Sequence, residues 1–187
     1  MRLFVALEIP SAVRENLANL LQSLRAVSPQ SKWVRPENLH VTLKFIGEAP
    51  EAKLAGIRVA LAGVRSEQPV TLEFRGLGFF PNEKHPRVFL AGIVASPNLK
   101  TLAADIDGAT EKLGIPREQR PFSPHLTLAR FEPSRLQEKL RAAIQESAER
   151  DFGSLHSGKF HLIESKLKPS GAEYTTVESF SFAAAEA

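Results

Sequence analysis

A chain of 187 residues with 43% apolar and 24% charged side chains is long enough to bury a core as one compact unit, and its formal charge of +3 tolerates an anionic ligand without being the footprint of a duplex binder. The absence of cysteine excludes disulfides, thiolate metal sites and a cysteine nucleophile, and is compatible with a reducing cytoplasm. The opening run Met1 to Leu7 is interrupted by Glu8 and Pro10, too short for a signal-peptide core or a membrane span, so a strand of a cytoplasmic protein is expected.

In chain order, Leu3 to Ile9 reads as a buried strand. Pro10-Ser11 leads into a helix with Val13, Leu17, Leu20, Leu21 and Leu24 on one side and Ser11 as its expected cap. Trp33-Val34 is a short extended piece before the turn Pro36-Glu37-Asn38, and His40 to Ile46 is a strand closed by Gly47. A helix over 51–64 places Leu54, Ile57, Leu61 and Val64 at helical spacing. Val70 to Phe80 and Val88 to Val94 read as an antiparallel pair around the turn 81–86, followed by a helix over 98–113. After the loop 114–124, His125 to Phe131 is a strand. Pro133-Ser134 introduces a helix over 135–149, Phe160 to Lys166 and Tyr174 to Phe182 are strands, and 183–187 is a frayed tail. This order predicts an α+β fold with two quasi-duplicated halves, antiparallel sheets and flanking helices around a central cleft. The whole chain, 1–187, reads as a single unit of two intertwined lobes.

Within that order one pattern occurs twice: His40-Val41-Thr42-Leu43 and His125-Leu126-Thr127-Leu128. Side chains alternate along a strand, so each histidine shares a face with the threonine two residues on while the apolar pair points into the core. Chance duplication with apolar residues at all four alternate positions has a probability well under about one in a thousand. Two strands that each present an imidazole and a hydroxyl to one cleft supply two proton-transfer groups and two hydrogen-bond donors, a set suited to a phosphate ester.

The motif context, Trp33-Val34 through Asn38-Leu39-His40-Val41-Thr42-Leu43-Lys44-Phe45-Ile46-Gly47 and then Pro124-His125-Leu126-Thr127-Leu128-Ala129-Arg130, resembles the two-histidine (2H) phosphoesterase superfamily. More narrowly it resembles the RNA 2′,3′-cyclic phosphodiesterases historically called 2′-5′ RNA ligases, from Arg2-Leu3-Phe4 to the closing Lys168-Pro169-Ser170-Gly171-Ala172-Glu173-Tyr174. The resemblance implies a bilobal α+β fold and hydrolysis of RNA 2′,3′-cyclic phosphate ends to 2′-phosphates, with an ATP-independent joining reaction as its reverse. It implies His40 as the acid on O3′ and His125 as the base on water, with Thr42, Thr127 and Arg130 on the phosphate. It implies no cofactor and no metal. The expected partner is RNA, tRNA-derived or another short chain, met by a monomer that does not engage a membrane.

Arg130 has the wrong strand parity for the cleft unless its strand twists, bulges or ends, and its counterpart in the first motif is Phe45. Lys44 shares the nominal face of His40, as an electrostatic helper or, more in keeping with its position, a solvated edge residue. Trp33 and Phe4 are candidate nucleotide contacts by stacking, although lone aromatics beside apolar runs are more often core. Tyr174 lines the cleft or packs in its strand. His85 is expected in an exposed turn, and His156 and His161 as structural residues without metal-ligand spacing. Lys32, Arg35, Arg75, Arg87, Arg117 and Arg120 suit an RNA strand if they surround the cleft. Two alternatives remain: a superfamily phosphodiesterase acting on linear 2′-5′ or 3′-5′ linkages or small cyclic nucleotides, and a non-catalytic phosphate- or RNA-binding module. A mere binder has no need of groups that titrate near neutrality.

Overall fold

The computed structural model describes residues 1–132 and 136–184. Its strands are β1 (Arg2–Glu8), β2 (Lys32–Trp33), β3 (His40–Glu48), β4 (Val70–Phe80), β5 (Val88–Ala95), β6 (His125–Arg130), β7 (Asp151–Ser157), β8 (Lys159–Lys168) and β9 (Gly171–Ser181). Its α-helices are α1 (Ser11–Val27), α2 (Leu54–Ala62), α3 (Asn98–Glu111) and α4 (Glu138–Gln145). They form two antiparallel sheets, ordered β3-β1-β8-β9 and β2-β6-β5-β4-β7, with one motif strand in each. The mixed α+β class with antiparallel sheets is therefore as expected.

Each half begins in its own sheet and finishes in the other. Strands β1 and β3 belong to the four-stranded sheet, the two-residue β2 between them pairs with β6, and the strand after α2, β4, pairs with β5 in the five-stranded one. Reciprocally β5-α3-β6 lies in the five-stranded sheet, while β8 returns to pair with β1. One continuous core results, in which alternate residues Leu3, Val5 and Leu7 of β1 and Val41 and Leu43 of β3 meet α1 leucines and the fully buried Phe74, Phe89, Phe152 and Phe160. Each such ring buried on folding contributes up to about 3 kcal/mol.

Several boundaries differ from the sequence reading. Pro10, not Ser11, occupies the cap position of α1, and no side chain caps it. The helix expected over 51–64 opens as a 3₁₀ turn (Glu51–Lys53) before α2. Pro133, Ser134 and Arg135 lie outside the described residues, and the helix expected to run to Glu149 ends at Gln145. Strand β7 is absent from the sequence reading. Its buried Phe152 and Leu155 are three apart, a helical interval, because Gly153 at φ 117° breaks the strand's alternation.

Lys44 departs furthest from expectation. It is not a solvated edge residue but 4% exposed, with Nζ donating to Asp107 Oδ1 at 2.6 Å and to the Pro116 carbonyl at 2.7 Å. Burial opposes ionisation of Asp107, yet the Lys44 hydrogen bond, the Glu118 amide and the nearby Lys44 and Arg117 charges outweigh it and hold the carboxyl below its ordinary value. This ion pair fastens β3 to α3 of the other half. Asp107's share of that stability is full above the usual carboxylate range and is lost as pH falls through the lowered folded value. Lys44→Met leaves the half-buried Asp107 carboxylate without its cation and is expected to cost about 2–3 kcal/mol by denaturant unfolding at neutral pH, with Lys44→Met/Asp107→Leu recovering most of the loss.

Candidate active site

Both motif strands carry the same irregularity. In the β1–β3 ladder Ala6 faces Thr42 but Val5 faces Lys44, so Leu43 is an extra residue. In the β5–β6 ladder Leu90 faces Thr127 but Phe89 faces Ala129, so Leu128 is an extra residue. A bulge after each threonine inverts the alternation beyond it. Lys44 and Ala129 thereby turn into the core, and Phe45 and Arg130 turn onto the face of the histidines and threonines. The same inversion that carries Lys44 away from His40 carries Arg130 toward His125 and Thr127.

The two imidazoles are held alike. His40 Nδ1 lies 3.0 Å from the Asn38 carbonyl and His125 Nδ1 lies 2.9 Å from the Ser123 carbonyl. A carbonyl only accepts, so Nδ1 carries the hydrogen in each ring and Nε2 is left as the reactive atom. Asn38 is itself latched, its Nδ2 donating to the Ala172 carbonyl at 2.9 Å on β9. Opposite His125 stands Gly92, where a Cβ would come within 2.6 Å of the Arg75 carbonyl oxygen. The backbone of β4 thus crowds in just behind the second motif. Strands β3 and β6, which carry the two motifs, lie against each other.

Electrostatically the histidines differ. His40 is half-buried and His125 exposed. Burial pushes His40 below its ordinary value; the Asn38 hydrogen bond raises it in part, Arg14 lowers it, Glu8 raises it and His161 lowers it. Among the described residues, none pairs with the Thr42 or Thr127 hydroxyl or with the Arg130 guanidinium.

Of the two candidate stacking residues, Phe4 is 6% exposed and sits under the site, edge-on to His40 at 6.3 Å and 5.0 Å from Tyr174. Trp33 faces the other way: it pairs with Ala129, packs on Phe89 and Phe131, and donates Nε1–H to the Ser28 carbonyl at 2.8 Å. The structure does not bring it to the motif face. The aromatic that reaches solvent on that face is Phe45, 62% exposed and 6.2 Å from Phe4. Tyr174 lies 5.8 Å from His40 and so lines the site. His85 is exposed as expected, and His156 is exposed on β7 beside Thr71. His161, expected as merely structural, shares the face of Ala6 and lies within the field of His40. Only the pairing of β8 with β1 places it there, and no local signal in the sequence could have found it. Of the basic residues, Lys32 pairs in register with Arg130, whereas Arg75 and Arg117 sit against Glu73, Asp151 and Glu111. Among the described residues, no group of three or more His, Cys, Asp or Glu is arranged to hold a metal ion, and no helix is long and apolar enough to cross a membrane.

The sequence model of the LigT like Phosphoesterase family matches residues 7–90 and 93–174, one stretch for each motif. The chain belongs to the LigT-like phosphoesterases, within the 2H superfamily. This phosphoesterase is 34% identical over 181 residues to the RNA 2′,3′-cyclic phosphodiesterase of Methanothermobacter thermautotrophicus, covering 96% of this chain and 98% of that one. It is 37% identical over 180 residues to the one of Archaeoglobus fulgidus, covering 96% and 99%. Its fold matches the crystal structure of TT0787 of Thermus thermophilus with a TM-score of 0.78 at 35% identity, covering 97% of this chain and 98% of that one. It also matches E. coli LigT complexed with 3′-AMP, with a TM-score of 0.74 at 26% identity and 97% of both chains covered.

The phosphoesterase's histidines make a spectroscopic prediction. In their neutral forms both rings are expected to show the Nδ1–H tautomer in long-range 1H–15N spectra, and His40 is expected to titrate below its ordinary value. A histidine whose folded value is lowered binds protons better when unfolded. Its contribution therefore favours the folded state above about pH 6.5 and is lost as pH falls through the folded value.

Proposed function

We propose that this protein hydrolyses RNA 2′,3′-cyclic phosphate ends to 2′-phosphates by acid–base catalysis between His40 and His125. The observation that carries the reading is the pair of Nδ1-anchored imidazoles on matching bulged strands, each with a threonine hydroxyl beside it and Arg130 on the face of the second. The substrate class follows the relatives named RNA 2′,3′-cyclic phosphodiesterase, and a nucleoside monophosphate in E. coli LigT agrees with a nucleotide ligand.

His125 Nε2 takes a proton from water, the water oxygen bonds to phosphorus, the P–O3′ bond breaks, and His40 Nε2–H returns a proton to O3′. Protons balance, and the second imidazole ends as the first began. Thr42, Thr127 and Arg130 donate to the non-bridging oxygens as charge grows there. His40 is pushed toward its neutral form in the free protein, so as the acid it gains its proton together with the substrate, whose phosphate charge favours the imidazolium. Phe45, with Phe4 beneath it, offers an apolar ring to the terminal ribose or base. With a 5′-hydroxyl in place of water, the same steps bond its oxygen to phosphorus as the P–O3′ bond breaks and O3′ takes the proton, joining 2′-5′ ends without ATP.

With EDTA present, a short RNA bearing a cyclic phosphate is expected to yield a 2′-phosphate, identified by its chromatographic mobility; an untouched cyclic end would overturn the substrate reading. His40→Ala and His125→Ala are each expected to slow turnover by roughly 10² to 10⁴ with the fold retained. A substrate with sulfur at the 3′ bridging position leaves without protonation. It should therefore rescue His40→Ala and not His125→Ala, and the opposite pattern would exchange the two roles. Phe45→Ala is expected to raise KM by at least about fivefold while kcat changes little, since stacking on a base is worth roughly 1–3 kcal/mol.

A further inference from the structure

On the site face of the four-stranded sheet, Glu8 stands directly across from His40 in the β1–β3 ladder. His161 faces Ala6 on one side and Ser179 on the other, one alternate position along from Glu8. Its Nε2 lies 3.7 Å from Glu8 Oε2 and its Nδ1 lies 2.7 Å from Ser179 Oγ. Because Ala6 ends at its Cβ, no side chain on β1 separates His161 from the motif strand. Glu8 therefore lies between two imidazoles, beside one by direct cross-strand pairing and near the other diagonally. The other cation bearing on His40 is Arg14 of α1, whose Nε is buried without a hydrogen-bond partner, and Lys159 bears on His161. Neither Glu8 nor His161 has a part in the bond-making steps above.

One carboxylate compensates one imidazolium. With His161 neutral, Glu8 is available to favour the protonated form of His40. When His161 takes a proton, its Nε2–H is drawn to Glu8, the carboxylate's support is divided, and like-charge repulsion is added. We propose that Glu8 and His161 form a charge-setting pair for His40, in which Glu8 supports the imidazolium and His161 competes for the same carboxylate, so that the two act as positioning residues governing when His40 carries its proton. The consequence for turnover rests on the reading of His40 as the proton donor; the electrostatic coupling does not. The directions agree with the geometry. At His40, Glu8 raises and His161 lowers the value; His161 itself is lowered by burial, raised by Glu8 and lowered by Lys159.

The test is an NMR titration of the His40 ring proton in the free, full-length protein, for the unmodified chain, Glu8→Gln, His161→Gln and the double variant, with circular dichroism to confirm folding. Glu8→Gln is expected to lower the His40 midpoint by about half a pH unit and His161→Gln to raise it by a smaller amount, a partly exposed carboxylate exerting less than a buried one. In the Glu8→Gln background the effect of His161→Gln should shrink, because the shared carboxylate is gone. Glu8→Asp, which keeps the charge and is the safer substitution for folding, should leave the midpoint within about 0.2 unit of the unmodified chain. The alkaline limb of kcat/KM should move in the same directions as the midpoints. Midpoints unmoved in the folded variants, or moved the same way by both single substitutions, would overturn the proposal. Opposite midpoint shifts in a protein that leaves the cyclic phosphate untouched would uphold the coupling and reject the substrate reading.

Discussion

One extra residue in each motif strand decides what the cleft is made of. Without the bulges at Leu43 and Leu128, strict alternation would place Lys44 and Ala129 beside the threonines and bury Phe45 and Arg130. With them, Arg130 brings a guanidinium to the second motif and Phe45 an apolar ring to the first, while Lys44 swings inward to Asp107 and the Pro116 carbonyl. The inward-turned Lys44 with its ion pair and the open aromatic are thus two results of a single backbone irregularity. It occurs at equivalent points in both halves, so the divergence lies in side chains placed on a common frame. Arg130 is suited to the charge of a phosphate, and Phe45 to the uncharged remainder of a nucleotide.

The histidines show the same combination of shared backbone and separate environment. Each ring donates from Nδ1 to a carbonyl two residues earlier, a local contact that orients Nε2 without help from a buried carboxylate. What differs is the surroundings. His40 lies among Phe4, Tyr174, Glu8, Arg14 and His161, and burial favours its neutral form; His125 is open to solvent at the end of the 114–124 loop. Burial thus works against the protonated form of His40, and it is the charge brought by an anionic phosphate that would restore a proton there.

Exchange of strands between the halves supplies the parts. Because β8 returns to β1, His161 and Ile163 lie on the face that carries His40, and β9 adds Tyr174 and Ser179. Because β4 crosses to β5, its backbone lies behind Gly92 and His125. The first motif is thereby finished by residues from the end of the chain, and the second is braced by a strand from its middle. Asn38, latched to Ala172, connects the loop before His40 to the same terminal hairpin.

The histidine and threonine faces, the helical stripe of Val13, Leu17, Leu20, Leu21 and Leu24, the α+β class and the family resemblance were all legible in the sequence, because each depends on the alternation or periodicity of neighbouring residues. Strand β7, the inward turn of Lys44, the outward turn of Phe45, the withdrawal of Trp33 to the far face and the approach of Glu8 and His161 to His40 were not. These depend on register between strands far apart in the chain: a bulge exists only relative to its partner strand, and His161 meets the field of His40 only because β1 lies between β3 and β8. Local pattern determined which side chains could do chemistry, and tertiary pairing decided which of them face one another, since hydrogen-bond register is a property of two strands and neither carries it alone.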